Sequence, residues 1–175
     1  RPGDYYPPAT LACRHSDGGR VSGVGRGVTP DETVVHFPSS DGFAVRENSS
    51  LGYLSNLTLS GAGSTVGEGI QLSGSSSLVI GPMLIYGFVH GISVLQGSFL
   101  DGSGAHSVPG WLSVVGSASD GVYVIGGSSA ELPYASVSGS DGHGFFVSGS
   151  SVLDATGAEA IGNLGAGFRV DSASA

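Results

Sequence analysis

The tetrapeptide Gly144–Val147 (GFFV) decides the fold, because its pattern of glycine, apolar residue, any residue and apolar residue recurs along the chain. The copies begin at Gly42, Gly69, Gly91, Gly121, Gly144 and Gly167. Their starts lie 27, 22, 30, 23 and 23 residues apart. A self-similar period of this length is typical of solenoids, in which each repeat is one supersecondary unit.

Two further apolar positions follow each tetrapeptide. The second position comes after a Gly/Ser turn and holds Leu51, Leu78, Phe99, Ala130 and Val152. The third is a short alternating segment, at Leu57–Leu59, Met83–Ile85, Leu112–Val114, Ala135–Val137 and Ala158–Ala160. Three short segments of period two, separated by turns, predict three strands per repeat. One repeat cannot bury its apolar side alone, so successive repeats must stack into a parallel β-helix.

Stacking predicts which side chains line the core. We expect an all-β chain with about six coils of roughly 23 residues over residues 42–175, each coil adding about 4.8 Å. One inward ladder is Phe43, Ile70, Ile92, Val122, Phe145 and Phe168, and a second is Val45, Leu72, Val94, Val124, Val147 and Val170. The residues between them face outward, and we expect the corner glycines to supply positive φ angles.

Residues 1–41 lack the repeat and carry five prolines, so we expect an N-terminal linker or cap there. Thr33–Phe37 is the only strand that we expect in this segment. At the other end the sequence stops inside a repeat, which predicts a piece of a longer protein or contact with another chain.

Composition excludes several classes of protein. The 175 residues include 32 glycines, which argues against a helical bundle, while 39% hydrophobic and 11% charged residues argue against disorder. All six basic residues are arginines, and the net charge is −8. Nucleic acid and anionic membrane surfaces are therefore not expected partners. Cys13 is the only cysteine, so no intrachain disulfide can form, and no apolar stretch is long enough to insert into a membrane.

Segments 144–155 (GFFVSGSSVLDA) and 160–170 (AIGNLGAGFRV) resemble the repeat of bacteriophage tailspike and tail-fibre β-helices. Those proteins belong to the pectate-lyase-like class of right-handed parallel β-helices. Segment 32–38, followed by Gly42–Val45, is similar to the entry into such helices. The resemblance covers residues 32–175.

This resemblance implies a right-handed helix in a homotrimeric virion appendage. Such an appendage is extracellular, assembles with other tail proteins and contacts polysaccharide on the host cell surface, sometimes cleaving it. The resemblance carries over no catalytic residue, and we expect no cofactor and no metal.

One column of polar residues precedes the repeat glycines and holds Asp41, Glu68, His90, Asp120 and His143. Carboxylates one coil apart, such as Asp41 and Glu68, would suit a retaining glycosidase, whereas Glu68 and Asp120 would suit an inverting one. The column could also bind a cation. The alternative is that Asp-Gly and His-Gly are only turn dipeptides.

Two more features are candidate binding surfaces. The longest repeat carries an insertion with Asp101, His106 and the only tryptophan, Trp111, which would suit a sugar if the indole were exposed. Alternatively, Trp111 packs beneath its own loop. The outward pair Tyr123 and Phe146 on neighbouring coils would suit a subunit interface, a sugar platform or cover by a loop.

Three functions compete. The first is a structural and receptor-binding segment of a phage tail fibre, tailspike or similar appendage. The second is a polysaccharide depolymerase, where the shortage of basic residues disfavours a lyase more than a glycoside hydrolase. The third is a purely structural virion decoration or a bacterial adhesin stalk. We expect a binding module rather than an enzyme, because no motif assembles a catalytic cluster.

Overall fold

The computed structural model is a parallel β-solenoid, and it describes residues 3–14, 19–22, 33–63, 67–103 and 111–171. Every strand pair in it is parallel, and the strands form three sheets. Sheet A contains β1 (Gly3–Tyr5), β4 (Thr33–Phe37), β7 (Leu57–Gly61), β10 (Met83–Tyr86), β13 (Leu112–Val115), β16 (Ser136–Ser138) and β19 (Glu159–Ile161).

Sheets B and C form the other two sides. Sheet B contains β2 (Leu11–Arg14), β5 (Phe43–Arg46), β8 (Glu68–Leu72), β11 (His90–Val94), β14 (Val122–Val124), β17 (Phe145–Val147) and β20 (Phe168–Val170). Sheet C contains β3 (Gly19–Ser22), β6 (Ser50–Ser55), β9 (Ser77–Ile80), β12 (Phe99–Asp101), β15 (Ser129–Glu131) and β18 (Val152–Asp154). The chain visits the sheets in the order A, B, C, so the predicted solenoid with three strands per coil is confirmed.

The two predicted apolar ladders of sheet B are confirmed. Ile70, Ile92, Val122 and Phe145 pair in register on successive strands and are fully buried. The second ladder, Leu72, Val94, Val124 and Val147, is also in register and buried. Phe168 and Val170 continue both columns on β20, where they are exposed because no described strand covers that side.

The N-terminal segment contributes more strands than expected. β1, β2 and β3 pair with β4, β5 and β6, so they extend all three sheets. The prediction that Thr33–Phe37 is the only strand before residue 42 is therefore wrong. This segment lacks the glycine repeat, but the backbone hydrogen bonds of a parallel ladder do not depend on it.

The second apolar position was also misplaced in two repeats. Leu51, Leu78, Leu100, Ala130 and Leu153 lie in register on sheet C, and the first four are buried. Phe99 and Val152, named from the sequence, precede Leu100 and Leu153 and are 38% and 63% exposed. A shift of one residue reverses the face of a strand, and the spacing alone did not resolve that shift.

The repeat glycines allow neighbouring coils to pack closely, and they do not adopt positive φ angles. None of the six adopts a φ in the left-handed region, whereas Gly97, Gly126 and Gly149 at the corner after sheet B do. A Cβ on Gly91 would collide with Val114 Cγ1 and lie 2.8 Å from the Gly121 carbonyl oxygen. A Cβ on Gly144 would lie 2.6 Å from the Gly167 carbonyl oxygen. A side chain at these positions would therefore push neighbouring coils apart.

A serine ladder, which the sequence did not reveal, joins the coils at the corner before sheet C. The backbone N–H groups of Ser49, Ser76, Ser98 and Ser128 each donate to the hydroxyl of the next serine in the series, at 3.1–3.3 Å. The Ser76 and Ser128 hydroxyls in turn donate to carbonyl oxygens three residues earlier, each at 2.8 Å. The ladder satisfies buried N–H groups that face no strand partner.

We predict that Ser98→Ala lowers the free energy of unfolding by about 1–3 kcal/mol, because the buried Ser76 N–H loses its acceptor. Ser129→Ala is the matched control, since Ser129 lies on the outward side of β15 and its loss should cost at most about 0.5 kcal/mol. Urea unfolding of both variants measures the difference. Equal losses would show that the ladder contributes nothing.

Candidate functional site

A stack of rings runs along the outer face of sheet B. Tyr123 and Phe146 pair in register, with ring centroids 5.3 Å apart and an interplanar angle of 18°. The His90 imidazole lies on the other side of Tyr123, with centroids 4.9 Å apart. We call His90, Tyr123 and Phe146 the ring stack. His143 flanks Phe146 at 5.9 Å, and the Arg169 guanidinium carbon lies 5.7 Å from the Phe146 centroid.

The ring stack leaves ring edges, rather than ring faces, for a ligand. Each face of Tyr123 meets another ring, and Phe146 lies between Tyr123 and Arg169. A sugar that stacks needs an open aromatic face, so the geometry disfavours Tyr123 and Phe146 as a sugar platform of that kind. The edge of an aromatic ring carries partial positive charge and therefore attracts oxygen atoms. The Tyr123 hydroxyl adds a hydrogen-bonding group at the same edge.

The predicted polar column lies beside the ring stack and joins one coil to the next. Asp41 Oδ1 accepts the Glu68 N–H at 3.0 Å, and Asp120 Oδ1 accepts the His143 N–H at 2.7 Å. His143 Nδ1 accepts the Ala166 N–H at 2.9 Å. Each contact caps a backbone donor at the corner before the repeat glycine, as Asp side chains do in turns.

These contacts support the turn interpretation of the column over catalysis. Asp41 also pairs with Arg46 at 3.2 Å, and Asp120 is only 9% exposed. His90 occupies the coil between Glu68 and Asp120. Catalysis by Asp41, Glu68 or Asp120 stays a prediction. The contacts described for these three carboxylates are with the backbone and with neighbouring side chains. Within the described residues, no group of three or more His, Cys, Asp or Glu side chains is placed to hold a metal ion.

Glu68 and His90 form a partly buried ion pair on this face. Glu68 Oε1 lies 3.1 Å from His90 Nδ1, and both side chains are less than one-fifth exposed. The Ser93 hydroxyl donates to Glu68 Oε2. This bond also explains why Ser93 is buried at an outward position, since Glu68 lies over it. Burial lowers the pKa of His90, but the hydrogen bond and charge of Glu68, helped by Asp120, outweigh it and raise that pKa above its usual value.

Of the two alternatives for Trp111, an exposed sugar platform and a packed side chain, the structure favours the packed side chain. Trp111 is 2% exposed, and its Nε1–H donates to the Pro133 carbonyl oxygen at 2.6 Å. Its ring packs over Gly102, where a Cβ would lie 2.6 Å from the indole. A buried tryptophan needs a partner for its N–H, and Pro133 supplies it. Trp111 is therefore part of the core and offers no stacking surface.

Of the other two residues of the predicted loop site, the structure describes Asp101. Asp101 lies at the end of β12, and its Oδ1 accepts the Ser103 N–H at 2.8 Å. His106 lies outside the described residues. Asp101 instead belongs to an outward acidic column on sheet C, in register with Glu131 and Asp154. The sequence does place one acidic residue after the second apolar position of each of these three repeats, as Asp101, Glu131 and Asp154.

The comparisons with known proteins do not place this chain in a family. Searches against protein-family models, curated proteins and solved structures found no match to this chain. In the described part of the chain, no helix is long and apolar enough to cross a membrane.

We predict a pH dependence of stability that originates in the pair of Glu68 and His90. The pKa of His90 is raised in the folded state, so the pair stabilises the fold below the unfolded pKa of about 6.5, and this stabilisation disappears as the pH rises through the folded pKa. Glu68→Gln should therefore lose more stability at about pH 6 than at about pH 9.

Thermal unfolding at the two pH values measures this difference. Glu131→Gln on sheet C is the control, because it removes a carboxylate from another face. A Glu68→Gln loss that is the same at both pH values would show that the pair carries no proton linkage.

Proposed function

We propose that this chain is a rigid β-solenoid segment of a virion appendage, such as a phage tail fibre or tailspike, and that it binds glycan of the host cell surface. The observation that carries the proposal is the outer face of sheet B, where ring edges and polar side chains repeat once per coil. The appendage itself is proposed on the resemblance of the repeats between residues 32 and 175 to those of such proteins.

The proposed ligand contacts are hydrogen bonds along the solenoid axis. Gln71, Ser93, Tyr123, Phe146 and Arg169 occupy one register column on β8, β11, β14, β17 and β20, but Ser93 is buried beneath Glu68. Neighbouring coils are about 4.8 Å apart, so Tyr123, Phe146 and Arg169 present a regular row to an extended polymer. Hydroxyl oxygens of a polysaccharide would accept from Tyr123 and meet the ring edges of the stack.

An uncharged glycan suits this face best. Arg169 is paired with Asp171 through two hydrogen bonds, at 3.0 and 3.1 Å, so its charge is compensated. Glu68 is compensated by His90 and Arg46 by Asp41. With a net charge of −8, the chain would also repel a polyanion.

The proposed assembly is a homotrimer that joins other virion tail proteins outside the host cell. A rod with exposed apolar side chains on its outer faces gains stability when copies associate. A subunit interface at Tyr123 and Phe146, which the sequence also suggested, is the alternative to glycan binding by these two residues. If the chain binds no glycan, we would instead assign it a purely structural role, as a virion decoration or a bacterial adhesin stalk.

We predict that Tyr123→Phe weakens glycan binding about three- to tenfold, because it removes one hydrogen bond and keeps the ring stack. The probe is an array of bacterial surface polysaccharides, on which the unmodified chain should bind at least one member. Binding curves on that member give the dissociation constants.

Tyr134→Phe is the matched control, since Tyr134 is 39% exposed and lies outside sheet B. It should bind like the unmodified chain. Failure of the unmodified chain to bind any polysaccharide would contradict the glycan proposal, and an equal effect of both variants would contradict the assignment to sheet B. Cleavage of a bound polysaccharide would favour the depolymerase instead.

A further inference from the structure

The middle of the outer face of sheet A, from β7 to β16, carries no charged side chain. Two outward register columns run along this face. One column is Asp4, Val34, Thr58, Leu84, Ser113, Ser136 and Glu159, and the other is His36, Ser60, Tyr86, Val115, Ser138 and Ile161. The titratable members Asp4, His36 and Glu159 lie at the two ends of the columns, on β1, β4 and β19.

This neutral face also exposes apolar side chains. Tyr86 and Val115 are register neighbours and are 37% and 39% exposed, while Ile161 in the same column is 57% exposed. The remaining outward positions between them hold serine or half-buried Leu84. The face is therefore a flat strip of apolar and small polar side chains.

The other faces suit contact between identical copies less well. Sheet C carries the acidic column of Asp101, Glu131 and Asp154 on three neighbouring strands. Two copies that met through sheet C would bring like charges together, which costs free energy that the middle of sheet A avoids. On sheet B, Asp41 and Glu68 are paired with Arg46 and His90, and we assign its outward column to glycan binding.

We propose that the outer face of sheet A is the surface through which copies of this chain contact one another. The cores of protein interfaces are depleted in charged residues and enriched in aromatic ones, which matches the strip around Tyr86. The occupant is a second copy, because a strongly acidic chain needs an uncharged face to approach itself. This inference rests on the proposed self-association but not on glycan binding, which we assign to sheet B.

Sedimentation equilibrium of the full chain over a range of concentrations tests the inference. The unmodified chain should associate, and Val115→Glu should weaken association about tenfold or more, because it places like charges in the interface. Phe99→Glu is the matched control: Phe99 is 38% exposed, almost the same as Val115, but it lies on sheet C. It should associate like the unmodified chain.

The remaining outcomes are equally decisive. A monomeric unmodified chain, or a Phe99→Glu effect as large as that of Val115→Glu, would overturn the assignment. Phe146→Glu tests the competing interface on sheet B, and weaker association in that variant alone would also overturn it. Circular dichroism and thermal unfolding check that each variant is folded, and Tyr86→Ser replaces Val115→Glu if the latter unfolds.

Glycan binding by the same variants separates this inference from the proposed function. A Val115→Glu chain that is monomeric yet still binds polysaccharide supports both assignments. A chain that associates through sheet A but binds no polysaccharide contradicts only the glycan proposal.

Discussion

The close approach of backbones at the repeat glycines is the constraint on which the structure depends. Gly42, Gly69, Gly91, Gly121 and Gly144 each lie against the carbonyl oxygen of the next repeat glycine. This contact sets the separation and register of neighbouring coils in sheet B. Through that register the contact aligns the apolar ladders and the ring stack of sheet B, whereas sheet C has its own register shift between Leu51 and Leu54. A mismatch at one glycine would therefore misalign the residues that follow it.

Stacking like residues on like residues gives the molecule faces of different chemistry. The core is filled by aliphatic columns. The outward columns are aromatic on sheet B, where the neighbouring charged side chains are paired, acidic on sheet C, and uncharged from β7 to β16 on sheet A. A solenoid repeats the same spacing along its axis, so each column acts as a continuous strip. The two proposals follow from this difference in chemistry. The hydrogen-bonding strip of sheet B suits an extended glycan, and the uncharged strip of sheet A suits a second copy of this acidic chain.

The sequence predicted the fold class because the pattern of glycine and apolar residues reports directly on coil stacking, and Ile70, Ile92, Val122 and Phe145 lie in register as expected. Features that depend on one-residue offsets or on distant partners were less predictable. Phe99 and Leu100 are adjacent apolar residues, and composition cannot say which one faces inward. The sequence left open whether Trp111 is exposed or packed, because its hydrogen-bond partner Pro133 is 22 residues away. The role of the polar column became clear only from backbone contacts across coils.

The free energy of unfolding of Gly91→Ala, compared with that of Gly127→Ala, tests the glycine constraint most directly. A Cβ at Gly91 meets Val114 and Gly121, whereas a Cβ at Gly127 meets nothing within 4 Å and is disfavoured only by its φ of +73°. Left-handed strain at Gly127 should cost about 1–2 kcal/mol. Overpacking against rigid backbone at Gly91 should cost about 3 kcal/mol or more. A loss at Gly91 no larger than that at Gly127 would contradict the account, because coil spacing would then not depend on the repeat glycines.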